Sequence, residues 1–178
     1  VAPVLVVFVL FIPIAVPLLF SSAFSHAVGM STCAVFYIFF KALTLPAGYL
    51  PLAAGHSKVY MSMEIVYDIL LALSVPLSYH LGGLQGIGWG LSVMGLIDLF
   101  MVHIVYRIKY GYVFRSTSPW VLFTQFVLLC TTVYAALCLP LMHRCIVGAV
   151  TIPLSIVLSV RLFNRETQLW NKIKGFLN

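Results

Sequence analysis

The sequence predicts an all-α fold, a polytopic membrane bundle of six transmembrane helices. Three observations predict it. The chain is 62% hydrophobic and only 8% charged over 178 residues, whereas a soluble domain of that size must cover its surface with polar groups. Its apolar residues gather in runs of about 20, the length a helix needs to cross hydrocarbon. The runs are apolar on all sides, which excludes a β-barrel built from strands of about 10 residues that alternate between lipid and lumen.

The six spans are 1–20, 31–54, 59–79, 87–106, 119–139 and 145–161, with a tail over 162–178. Short polar or glycine-rich connections separate them: Ser21-Ser22, Gly55-His56-Ser57-Lys58, Gly82-Gly83, Arg115-Ser116-Thr117-Ser118-Pro119 and His143-Arg144. Connections this short make successive helices antiparallel. The chain begins inside an apolar run, at Val1-Ala2-Pro3-Val4, and is read as a piece of a longer protein. Residues 1–161 form one membrane lobe with no domain boundary inside it. Prolines 13, 17, 46, 51, 76 and 153 lie within the spans. Each removes a helix hydrogen bond, and the freed carbonyl needs protein or a wet cavity to satisfy it.

Lysine and arginine set the orientation. Lys58, Arg107, Lys109, Arg115, Arg161, Arg165, Lys172 and Lys174 follow the even-numbered spans, and only Arg144 follows an odd one. Both ends of the chain are therefore expected in the cytoplasm. In the tail, Leu169, Trp170, Ile173 and Phe176 with Lys172 and Lys174 fit a short amphipathic helix on the inner surface, with a frayed tail as the equal alternative. The net charge of +6 does not point to nucleic acid, because the basic residues sit at span ends without base-stacking aromatics.

Three ionisable residues lie deep in the spans, and a charge in hydrocarbon marks a functional-site candidate. Counting along helices at their usual rise puts Lys41 about 15 Å, and Asp68 and Asp98 each about 16 Å, from the outer edge. One cation and two carboxylates thus share a depth on consecutive spans. Glu64 is one turn from Asp68, and two carboxylates at that spacing repel unless a proton or cation intervenes. Glu64, Asp68 and Asp98 are therefore candidates for coupling to a proton or sodium. The alternative is structural, with Lys41 neutralising Asp68 or Asp98 and fixing helix register.

No catalytic or cofactor chemistry is expected. The four cysteines and the histidines show no metal-ligand spacing, and there is no nucleophile elbow, zinc-protease motif or P-loop. The run Gly82-Gly83-Leu84-Gln85-Gly86-Ile87-Gly88-Trp89-Gly90 follows an apolar span and reads as a tight turn with close helix approach.

The stretch Phe39 to Arg115 resembles a known family. It contains Lys41-Ala42-Leu43-Thr44-Leu45-Pro46-Ala47-Gly48-Tyr49, Leu52-Ala53-Ala54-Gly55-His56-Ser57-Lys58, Gly83-Leu84-Gln85-Gly86-Ile87-Gly88 and Arg107-Ile108-Lys109-Tyr110-Gly111-Tyr112. Together with the first span, which ends just before the step Phe24 to Ala27, these segments resemble the C-terminal half of bacterial polysaccharide (O-antigen type) flippases. Those belong to the multidrug/oligosaccharidyl-lipid/polysaccharide exporter superfamily. Ala54-Gly55-His56 departs from the Lys-Gly-Asp often found there, and the last two spans match only in general character.

The resemblance implies a transporter of two rocking lobes, about 12–14 helices in all, with this chain as most of the second lobe. Its substrate would be an undecaprenyl-diphosphate-linked oligosaccharide, moved from the inner to the outer leaflet of the bacterial inner membrane. Lys41 would meet the diphosphate or acidic sugars. Its partners would be this lipid-linked substrate, the bilayer and the other lobe. A drug or cation antiporter of the same superfamily is the nearest alternative. A membrane polymerase or ligase of envelope assembly would need a large outer loop bearing Arg or His, and the outer loops here are short and nearly uncharged. A purely structural subunit is the fourth reading.

Overall fold

A computed structural model describes residues 1–20, 24–111 and 119–167. Ser21-Ser22, the connection through Arg115, and tail residues Leu169, Trp170, Lys172, Ile173, Lys174 and Phe176 lie outside the described residues. The described residues are helical, in the order α1 (Ala2–Phe20), α2 (Ser25–Gly48), α3 (Leu50–Ala53), α4 (Ser57–Tyr110), α5 (Pro119–Cys138) and α6 (Leu141–Thr167). Five helices among them are long and apolar enough to cross a membrane, against the six expected.

The difference lies in α4, whose 54 residues take in both middle spans. A straight helix of that length would be about 80 Å long, far more than a bilayer's hydrocarbon. It is not straight, because Gly82 (φ −147°, ψ 19°) and Gly83 (φ 59°, ψ −147°) leave the helical region. The backbone at Gly83 is one that side chains with a Cβ rarely adopt. Beyond it the chain doubles back: a Cβ on Gly86 would collide with the Ser78 carbonyl oxygen, and one on Gly90 would lie 3.8 Å from the Ser74 carbonyl oxygen. Residues 78 and 86 would be about 12 Å apart along a continuous helix. Helix α4 is thus a hairpin of two halves, 57–81 and 84–110, without a non-helical loop long enough to separate them.

Two other boundaries move. Helix α2 starts at Ser25 rather than at residue 31, because helix formation in an apolar medium follows backbone hydrogen bonding and tolerates small polar residues. The break between α5 and α6 falls at Leu139-Pro140, and His143-Arg144 lies inside the first turns of α6. Proline suits a helix start, having no N–H to leave unsatisfied. Arg144 Nε donates to the Leu139 carbonyl at 2.6 Å, so this arginine caps the preceding helix.

The described residues divide into two compact units, Ile12–Phe114 and Val1–Phe11 with Arg115–Asn178. In the first, α2 packs on the second half of α4. Gly88, Ser92 and Gly95 are buried at small-residue spacing and let the backbones approach closely. A Cβ at Gly88 would strike the Met30 carbonyl oxygen, and one at Gly95 would lie 3.1 Å from Tyr37 Cα. Ser92 Oγ donates to the Cys33 carbonyl at 2.7 Å, and Tyr106 donates to the Gly48 carbonyl at 3.1 Å. Pairs 30/88, 33/92, 37/95 and 48/106 advance together, so these two helices run parallel. The first half of α4 runs the other way.

In the second unit, α5 packs on α6. Gln125, buried, donates through Nε2 to the Ser155 carbonyl (2.9 Å) and Ser159 Oγ (3.1 Å). Its Oε1 accepts from Ser155 Oγ at 2.5 Å.

Candidate functional site

Lys41 and Thr44 lie one turn apart on α2, on the face that meets the second half of α4. Lys41 Nζ donates to Asp98 Oδ2 at 3.1 Å. Thr44 Oγ1 is 2.8 Å from the same carboxylate oxygen and 3.1 Å from the Lys41 carbonyl. A hydroxyl has one proton to give, and the shorter contact assigns it to Asp98. The parallel register places Lys41 and Asp98 at one level, as the depth count expects.

The ammonium has a second neighbour. It stands 4.2 Å from the centroid of the Tyr67 ring, on the first half of α4, where the ring face attracts a cation. Lys41 is therefore held from both halves of the hairpin. Its side chain keeps 30% exposure while that of Asp98 keeps 7%. The cation is thus the more accessible partner of the pair.

A cavity of about 70 Å³ opens beside this pair, lined by Lys41, Thr44, Tyr60, Glu64, Asp98 and Tyr106 among others. One ammonium faces two carboxylates, so the formal charge of the cavity is negative. The ion pair among the described residues is Lys41–Asp98, which leaves Glu64 as the carboxylate of the cavity outside it.

Asp68 is not in this cluster. It is exposed and does not line the cavity. The inward stripe of this half-helix is centred on Tyr67, which is buried. At 3.6 residues per turn Asp68 points about 100° away from Tyr67, while Glu64 is about 60° away at the stripe's edge. The structure thus pairs Lys41 with Asp98, while Glu64, exposed like Asp68, shares only the lining of their cavity, and Asp68 does not line it. Thr44 was not singled out from sequence, and Tyr67 only as lying on or beside the Glu64–Asp68 face. A hydroxyl one turn from a lysine inside an apolar run was the available signal for the first, and the azimuth of the apolar stripe for the second.

Among the described residues no three His, Cys, Asp or Glu side chains gather to hold a metal. The four cysteines are free thiols. No family model matches the chain, and neither a curated protein nor a solved structure shows significant similarity to it.

Proposed function

We propose that this chain is the second lobe of a transporter that flips an undecaprenyl-diphosphate-linked oligosaccharide across the bacterial inner membrane by alternating access. The observation that carries this reading is the Lys41–Asp98 pair at 3.1 Å, with its cation turned toward a cavity. In this reading the α4 hairpin crosses twice, giving six spans with both chain ends cytoplasmic.

The chemistry follows from the pairing. A diphosphate entering the cavity competes with Asp98 for Lys41. A buried carboxylate that loses its cation needs a proton or metal cation in its place. Substrate arrival and cation uptake are thereby linked through Asp98, with Glu64 on the same cavity as the second coupling group. Asp68, exposed outside the cavity, is the weakest of the three coupling candidates. A cavity of about 70 Å³ is small against the roughly 300–1,000 Å³ of ordinary ligand pockets. This lobe would therefore contact the diphosphate, and the sugars would meet the other lobe.

The test is Lys41→Ala in a cell that displays the polymer. Surface polysaccharide is expected to vanish per inserted molecule; normal display would sink the assignment. A reporter fused after Asn178 is expected to read cytoplasmic.

A second reading, a drug or cation antiporter, is favoured by the excess of carboxylate over ammonium in the cavity. Binding of tetraphenylphosphonium that is lost in Glu64→Gln, with no effect of lipid-linked oligosaccharide, would select it.

A further inference from the structure

One end of the first unit collects positive charge from helix termini far apart in sequence. His56 Nδ1 and the Tyr110 hydroxyl share a hydrogen bond at 3.2 Å, with ring centroids 5.6 Å apart. The two residues bracket the whole of α4. Tyr110 also stacks edge-on against Tyr106 (5.8 Å), whose hydroxyl holds the last carbonyl of α2. This staple puts Lys58, from the first turn of α4, at the same end as Arg107 and Lys109, from its last turn. All three are exposed, and none forms an ion pair among the described residues. The nearest acidic residue along the helix is Glu64, about 9 Å deeper than Lys58 at the helical rise.

Helix dipoles do not account for this patch. Arg107 and Lys109 complement the negative C-terminal end of α4, but Lys58 sits at the positive N-terminal end, where a cation is disfavoured. An anion from outside the chain would balance all three. The patch lies where the apolar helices end, at the level of lipid headgroups, and the positive-inside rule puts that end on the cytoplasmic leaflet, which is rich in anionic lipid.

We infer that Lys58, Arg107 and Lys109, gathered by the His56–Tyr110 staple, form a binding site for the phosphate headgroup of an anionic phospholipid. The inference needs only that these helices lie in a bilayer, and stands apart from the transport reading.

The test reconstitutes the full chain in vesicles of phosphatidylcholine with and without phosphatidylglycerol. Retained phosphatidylglycerol is counted by native mass spectrometry. The wild type is expected to retain it in preference to phosphatidylcholine. Each basic side chain near a membrane surface contributes about fivefold, so Lys58→Gln/Arg107→Gln/Lys109→Gln is expected to lose affinity by about a hundredfold. Equal helicity and melting in pure phosphatidylcholine establish that the triple variant is folded. Arg144→Gln, a basic residue of the other unit, is expected to retain the lipid normally. Equal retention by wild type and triple variant would overturn the site. So would a thermal shift with inorganic phosphate alone that matches the lipid's, since the ligand would then be free phosphate.

Discussion

The two units each bury a polar cluster between helices, and they do so in opposite ways. Around Gln125 everything is neutral and closed: both amide hydrogens and the amide oxygen have partners on α6, and Ser155 is fully buried. Around Lys41 the groups are charged, and one partner remains reachable from a cavity. A satisfied neutral network holds helices together at modest cost. An ion pair in an apolar setting is a poor choice for stability alone, since well-packed apolar residues do as well or better. The contrast separates a closed neutral clamp from a charged pair open to a cavity.

The sharpest way to break the comparison is one substitution made in both units. In Gly88→Ala the new methyl meets the Met30 backbone and Cys33 Cβ at 2.9 Å, so a loss of about 3 kcal/mol is expected in detergent unfolding. In Gly148→Ala it meets Leu10 Cδ1 at 2.7 Å, the tip of a flexible side chain, and stability is expected within about 1 kcal/mol of wild type.

Asp98→Asn comes next. It removes a charged acceptor with two donors, for which about 2 kcal/mol is expected, and it should abolish transport per inserted molecule in a vesicle assay. Gln125→Leu should cost about 1 kcal/mol and leave transport per inserted molecule intact. If Gln125→Leu stops transport while Asp98→Asn does not, the assignment of the two clusters is reversed. The smallest expected effect is that of Asp68→Asn, whose transport rate should stay nearer to wild type than that of Glu64→Gln. The opposite order would return Asp68 to the site.

The common level of Lys41 and Asp98 was legible in the sequence, and direction around the helix was not. Counting residues from span ends puts Lys41 and Asp98 at one level because the rise per residue hardly varies. The same count puts Asp68 there too, but it carries no azimuth, and the inward stripe of that helix is fixed by Tyr67. The turn at Gly82-Gly83 was legible as glycine punctuation. Its tightness was legible too, and what the sequence did not show is that two residues, Gly82 and Gly83, make the whole turn. At the α5–α6 junction the polarity of His143-Arg144 misled, because Arg144 reaches back to Leu139 while Pro140 marks the break. The start of α2 was misplaced for a related reason: hydropathy locates the hydrocarbon, whereas the helix continues through Ser25 and Ser31.

The separation of Lys41 and Asp98 along the chain also sets an order of events at the ribosome. Lys41 is synthesised before its counter-ion exists, since Asp98 lies 57 residues later. At about 5–20 residues per second, that gap lasts roughly 3–11 s. Tyr67 emerges in under half that time, and its ring can receive the ammonium first. The aromatic face would then be a temporary berth for a charge still awaiting its carboxylate. A chain stalled between Tyr67 and Asp98 should stay engaged with the insertion machinery, and release should follow once Asp98 has entered.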